Sequence, residues 1–443
     1  MRKFPLLPLL FAAFTTQADL LTALKAHENK DFVTAAAEFN RLLPLASEQA
    51  AYNLGAMAYN GEGQPRDKVK ALAYFEFAAA REHHEAQALA DKLKASLSTA
   101  EQLQAQELLA QLQQQVKVGQ DIKPEIRAVF DHERKAVKRF PPEYPKEAAA
   151  RGAFGSVTMR LLVNENGDVE AVDVLNAFPK GVFERDAIRA LKRWKYEPGE
   201  HKFIGRVQLT FSIGEIDQRK MQRIFTDYKL WEYAALGSPM HQNALASVLE
   251  LARNQSAYTQ FVDKSLPPAL GPLSTDFVKE PKTVSDELTL PPGFDSDAFV
   301  TLDAEGRVTA VHDNDAKRLA AASASLMGHQ LTTDKVDAGF YRLVQQYRKK
   351  GPRLLTAQRI PQTYSDDYWL ELAARGGSIE AQRAMAASRT DWELYLLEQQ
   401  DPVVQSWAGT QLILNGQTAE GEKLLDAAIA KGHATAKELK ATL

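Results

Sequence analysis

Residues that could carry chemistry are present in this chain but rarely in a working arrangement. No Cys occurs among the 443 residues, which excludes thiolate nucleophiles, disulfides, iron–sulfur clusters and Cys-ligated zinc. His83 and His84 are adjacent, so on a helix their rings diverge, whereas zinc ligation wants an i, i+4 pair and a third ligand; they are expected to be solvent-exposed. His312-Asp313-Asn314-Asp315 is acidic, but it lacks the Gly at loop position six and the Glu at position twelve that a calcium loop uses. Asp366-Asp367 reads as a solvated helix start. There is no Gly-x-Ser-x-Gly, no phosphate-cradling loop and no carboxylate pair whose burial the pattern implies. No catalytic residue, metal site or cofactor is therefore assigned. What remains is backbone chemistry. Val207, Leu209, Phe211 and Ile213 alternate with Arg206, Gln208, Thr210 and Ser212, as in a strand with one face on a core and one in solvent. As the last strand of a small sheet, its edge could accept an extended peptide, with main-chain hydrogen bonds giving affinity and Arg206, Gln208, Thr210 and Ser212 giving selectivity.

The elements that must position this edge lie between Phe140 and Gly214. Pro141-Pro142-Glu143-Tyr144-Pro145 is extended by its prolines, and Pro145 can occupy the first turn of a short helix, Lys146 to Arg151, closed by Gly152. A strand follows from Ser156 to Val163. Asn166-Gly167 is a strong hairpin signal, and Val169 to Leu175 is the returning strand. A helix from Phe183 to Trp194 carries Ala187, Ile188, Leu191 and Trp194 on one face, and Tyr196-Glu197-Pro198-Gly199 ends it. The order is helix, hairpin, helix, strand.

These residues resemble the C-terminal domain of the TonB family. Its pattern is matched by Tyr144-Pro145, by Ala148-Ala149 with Gly152 to Gly155, by Gly167-Asp168-Val169, by Asp186-Ala187, and by Trp194-Lys195-Tyr196-Glu197-Pro198. The resemblance implies a small α/β domain over residues 140–216 that engages other proteins in the periplasm, in the best-known members the TonB box of outer-membrane receptors. Those members couple the proton gradient to solute uptake through a spanning helix and a Pro- and Lys-rich spacer. This chain has instead a short apolar start and a Gln/Leu-rich stretch, Glu101 to Gln115, so an adaptor is expected rather than a full transducer.

The flanks read as helical. Ala51, Leu54, Gly55, Tyr59, Gly61, Gly63, Asp67, Lys70, Ala71, Tyr74, Phe75, Ala78 and Ala79 form a spaced series that resembles the Sel-one-like repeat, a relative of the tetratricopeptide repeat. In such repeats small residues let paired helices approach, and each pair needs neighbours. Tyr74 to Gln87 matches Trp369 to Gln382 at six of fourteen positions, and Ala408 to Leu439 follows the same order. Trp231, Ala234-Ala235 and Gly237 hint at a further unit. The expected organisation is a signal peptide (1–18), helical repeats (19–118), a linker (119–139), the TonB-like domain (140–216), a helical segment (217–270), a linker with a degenerate α/β hairpin unit (271–360), and helical repeats (361–443). The fold class is thus multi-domain α+β, with a small α/β domain between α-solenoid segments. Within 271–360, Ala298 to Asp313 reads as a second hairpin around Glu305-Gly306, and Leu302 to Val311 shares Gly306, Val308, Ala310 and Val311 with Val163 to Val172, suggestive of a worn second copy.

Apolar residues are 45% and charged residues 25% of the chain, and the net charge is -3. These are globular values, too balanced for nucleic acid to be drawn by overall charge. Met1-Arg2-Lys3, the apolar run Phe4 to Phe14 and Thr16-Gln17-Ala18 read as a secretory signal cleaved before Asp19. The mature chain is then expected in the periplasm, with membrane association only if the signal is retained as an inner-membrane anchor. Two function classes follow: a periplasmic protein-interaction adaptor linked to TonB-dependent transport, or an envelope enzyme or accessory, related to peptidoglycan, that uses these modules for placement.

Overall fold

The computed structural model describes residues 19–119, 134–214, 218–253, 262, 282–284, 297–313, 316–331, 336–346 and 354–443. The expected signal segment and the proline-rich stretch 267–281 lie outside them.

The N-terminal block is six helices: α1 (Leu20–Glu28), α2 (Phe32–Leu42), α3 (Glu48–Asn60), α4 (Lys68–Ala79), α5 (Ala86–Lys94) and α6 (Thr99–Gln114). Short polar side chains start most of them. Asp19, Asp31, Ser47, Asp67 and Ser98 each accept a backbone N–H of the first turn, and Ser98 with Glu101 completes a capping box, meeting donors the helix cannot satisfy itself. The small residue at Gly55 does what its spacing suggests: a Cβ there would lie 2.8 Å from the Phe75 ring, so α3 and α4 close directly on each other.

The first sheet follows. A short strand β1 (Ala136–Lys138) precedes α7 (Lys146–Arg151), β2 (Gly155–Val163), β3 (Val169–Phe178), α8 (Glu184–Leu191), β4 (Lys195–Tyr196) and β5 (Phe203–Phe211). The order is β3-β2-β5, all antiparallel. Three boundaries differ from the sequence reading. The segment expected as linker contains β1, which pairs with β4, because Tyr196 is buried and needs a strand beside it. Pro145 is the N-cap of α7 rather than its first turn. The helix expected to reach Trp194 stops at Leu191, so that Trp194 turns inward and its indole N–H donates to the Phe140 carbonyl at 2.9 Å.

Helices α9 (Gln218–Asp227), α10 (Leu230–Ala235) and α11 (Pro239–Arg253) then lead to a second sheet. The region expected as a linker with a degenerate hairpin holds β6 (Lys282–Val284), β7 (Asp297–Leu302), β8 (Val308–His312), α12 (Ala316–Leu326), β9 (Gly339–Gln346) and β10 (Leu354–Arg359), in the order β6-β10-β9-β7-β8. The expected hairpin around Glu305-Gly306 is β7-β8. Six further helices close the chain: α13 (Asp366–Arg375), α14 (Ile379–Ala386), α15 (Thr390–Glu398), α16 (Pro402–Leu414), α17 (Thr418–Ala430) and α18 (Ala434–Thr442). A large apolar core joins the N-terminal helices to α9–α11 and α13–α15 through Phe39, Phe77, Trp231, Trp369 and Trp392. Among the described residues no helix is long and apolar enough to cross a membrane.

A candidate peptide-binding edge

Strand β5 is positioned by two layers. On one face of the sheet Val157, Met159, Leu161 and Val163 from β2, with Leu209 and Phe211 from β5, pack against Phe183, Ala187 and Leu191 around α8. Burying side chains of this size contributes about 2 kcal/mol each, and the alternation on β2 and β5 makes this face continuous. Tyr144 braces the end: its ring meets Phe183 and Phe211 edge-on at 5.6 and 6.1 Å, and its hydroxyl donates to the Ala153 carbonyl.

The residues that carry the family pattern have structural work in this layer. Gly152 ends α7 with a left-handed backbone. A Cβ on Gly155 would sit 1.8 Å from the Phe178 carbonyl oxygen, so only glycine lets β2 and β3 meet there. Gly167 has φ +89°, and a Cβ on it would meet the Tyr196 oxygen at 2.1 Å. The Asn166-Gly167 turn forms the longer, three-residue kind of hairpin loop: Asn164 N–H donates to the Asp168 carbonyl and Gly167 N–H to the Asn164 carbonyl, with glycine in the left-handed position. Val169 and Ala187 are buried, Asp186 accepts from Arg189 at 3.3 Å, and Pro198 is exposed. Burial pushes the Tyr196 phenol up to about 12, so it stays neutral in the core.

The second face departs from expectation. The sequence reading placed it in solvent, but Leu162, Ala171 and Ile204 are buried under Trp407, Leu425, Ala428, Ala436 and Leu439 of α16–α18. At its centre the Asp173 carboxylate accepts three hydrogen bonds, on Oδ2 from Trp407 Nε1 and His433 Nε2, both at 2.9 Å, and on Oδ1 from Thr435 Oγ1 at 2.7 Å. Arg160 donates to the Ala387 carbonyl at 3.2 Å, and Asn176 donates to Asn243 and Ser247 of α11. Sequence reasoning missed this hub because its partners are 234 to 262 residues apart, and no local spacing reports such a contact.

The expected selectivity residues do share this second face. Arg206, Gln208 and Thr210 stand opposite Arg160, Thr158 and Ser156. Arg206 is half-buried and lies 3.8 Å from Glu250 of α11. Gln208 is exposed and donates to Thr158 Oγ1 at 3.5 Å, Thr210 is exposed, and the Ser212 hydroxyl donates to the Gly214 carbonyl at 2.6 Å. Along its outer side β5 borders the sheet: among the described residues its strand partner is β2 alone.

Two expectations about chemistry-bearing residues hold only in part; His84 is exposed as expected, but its neighbour is not. His83 is 7% exposed and stacks on Tyr52 with ring centroids 4.1 Å apart; the pair sits in the loop after α4, where the rings stack at 5.0 Å rather than diverge. Burial lowers the His83 imidazole to about 4. Asp366 does open a helix, α13, but it is fully buried, 3.7 Å from the Arg253 guanidinium, which also holds Asp313 at 3.0 Å; a carboxylate with a buried guanidinium partner can leave solvent. Residues 314 and 315 of the acidic run lie outside the described residues. Among the described residues no three His, Asp or Glu side chains gather to hold a metal.

Residues 141–214 match the family model described as the Gram-negative bacterial TonB protein C-terminal. Protein TonB of Escherichia coli K12 is 39% identical over 66 residues, 15% of this chain and 28% of the relative. The Klebsiella aerogenes protein of that name is 42% identical over 65 residues, again 15% of this chain and 27% of the relative. That of Pseudomonas aeruginosa is 28% identical over 92 residues, 20% of this chain and 27% of the relative. The match thus spans about a quarter of these relatives' length. The solution structure of the Pseudomonas aeruginosa TonB C-terminal domain aligns with 26% identity and a TM-score of 0.19, covering 20% of this chain and 95% of that one. Between its helical blocks, at residues 141–214, the chain carries a TonB C-terminal domain.

Proposed function

We propose that this chain is an envelope adaptor in TonB-dependent outer-membrane transport, and that β5 takes up extended receptor segments by strand addition. The observation that carries the reading is a bordering strand, β5, in a domain that matches the TonB C-terminus. A row of main-chain donors and acceptors at such an edge attracts an extended peptide. Arg206, Gln208, Thr210 and Ser212, on one face, select among side chains of the incoming segment. The flanking helices act as Sel-one-like repeats that present further protein-docking surface, and the chain works in the periplasm after loss of residues 1–18. It uses no cofactor and performs no catalysis.

Successive amides of a strand face opposite edges, so Val207→Pro and Gln208→Pro bracket the outward donor. Fluorescence polarisation with a synthetic TonB-box peptide should show one of the two variants folded by circular dichroism yet binding at least tenfold more weakly. Two folded variants that bind as well as the unaltered chain would rule out strand addition at β5.

A further inference from the structure

The two sheets agree in detail that a generic hairpin does not require. In the first, Val163 faces Val169 and the register shifts between Leu162 and Val163; in the second, Leu302 faces Val308 and the shift falls between Thr301 and Leu302. The turns share their hydrogen bonds. Gly167 N–H donates to Asn164 O and Gly306 N–H to Asp303 O, both at 3.0 Å, while Asn164 Oδ1 and Asp303 Oδ1 each accept from the residue four further on, at 2.8 Å. After the crossing helix the chain returns to the turn in the same way: Tyr196 N–H donates to Gly167 O and Leu331 N–H to Gly306 O, both at 2.8 Å. The third strand then joins the far side of the first, with Val163 opposite Phe203 and Leu302 opposite Gly339. Beyond the strands the agreement continues in the helices. Gln242 Nε2 donates to Ala234 O across α10 and α11, and Gln382 Nε2 to Ala374 O across α13 and α14, at 3.1 and 3.0 Å. A turn glycine is common to many hairpins. A matching bulge and a matching return to the turn have no such generic cause.

One difference remains. β9 occupies the place of β5, and β10 pairs with it over six positions, from Tyr341 opposite Arg359 to Gln346 opposite Leu354, with β6 added beyond. We infer that residues 297–386 are a second copy of the sheet and helix pair at 155–253, whose peptide-accepting edge is filled in cis by β10, so that the chain takes one extended segment, at β5. The inference rests on the strand-addition reading of β5. It also gives the scale of the partner. A six-residue antiparallel segment is what this scaffold holds at the corresponding edge.

Hydrogen exchange of the full chain, read by mass spectrometry with and without a synthetic TonB-box peptide, tests it alongside calorimetric stoichiometry. In the free protein, amides of 339–346 should exchange at least about tenfold more slowly than the fast half of 203–211, because a central strand is bonded on both sides and a bordering one on one. Added peptide should slow 203–211, leave 339–346 unchanged and bind one per chain. Protection appearing in 339–346, or two peptides per chain, would overturn the inference, as would equally fast exchange of both strands in the free protein. Absence of any peptide binding with the free-state contrast intact would sink the reading of β5 and keep the closure by β10.

Discussion

The two sheets are built alike on the face that meets their own helix and differently on the other. In the first, Leu161, Val163 and Val169 meet α8; in the second, Val300, Leu302 and Val308 meet Ala322 and Leu326 of α12. On the opposite faces the corresponding positions diverge. Where β2 has Arg160, β7 has Phe299, fully buried with the Arg253 guanidinium 4.6 Å from its ring. Where β3 has Asp173, β8 has His312, within 2.9 Å of Thr301 Oγ1. The comparison teaches which layer specifies the unit. The helix-facing layer holds hairpin, helix and third strand together, and the other layer adapts to whatever helical block lies against it. α11 lies against both: Arg206 approaches Glu250, and the Arg342 guanidinium donates to the Arg253 carbonyl at 2.9 Å.

The largest effect should come from the shared turn. Gly167→Val places a branched side chain in a left-handed backbone and against the Tyr196 oxygen, and should cost about 4 kcal/mol. Gly306→Val, at φ +76°, should cost a comparable amount in thermal melts. A neutral Gly306→Val would break the equivalence of the turns. Next, Leu161→Ala should cost about 3 kcal/mol and Val300→Ala about 2 kcal/mol, both sites being fully buried and differing by one methylene. Denaturant titration that found one of them silent would show that the helix-facing layers are not alike. Asp173→Ala strands three donors and should cost about 2 kcal/mol. Exchange of 402–443 should rise, while 297–346 keeps its protection.

The smallest effect is acid sensitivity of the second sheet. Burial holds the His312 imidazole below its ordinary 6.5. Above that pH it is neutral folded or unfolded and has no effect. As pH falls below 6.5 the unfolded chain takes up a proton that the folded one refuses, so stability is lost progressively down through the folded value. His312→Gln should flatten that limb of the melting curve, and an unchanged limb would remove His312 as its cause.

Much of the first sheet was legible because its signals are local. Asn166-Gly167 marks a hairpin, the alternation from Arg206 to Ile213 marks a strand, and Ala187 with Leu191 marks a helix face. The second hairpin was legible for the same reason, through Gly306 and Val308. Its third strand was not: Gly339 to Gln346 shows no clean alternation, and β10 pairs with it on the side where β5, among the described residues, has no strand partner. The candidate edge was readable as a strand end, but the cover on its second face was not. Leu162, Ala171 and Ile204 sit among residues that look like an ordinary strand, and nothing nearby in sequence names Trp407 or Leu439 as their partners. His83 and Asp366 were misread for a related reason. Their burial depends on Tyr52 and Arg253, which meet them only in three dimensions.

The Asp173 hub has a consequence in time. Its donors are made 234 to 262 residues after it, so at about 5–20 residues per second the ribosome supplies them roughly 10 to 50 s later. Until then β2, β3 and β5 carry a finished helix-facing layer and a second face that α11 reaches at Asn176 and Arg206 but on which Leu162 and Ile204 still show. The nascent protein thus passes through an interval in which this sheet is sticky on one side, and it is the last forty residues that end it.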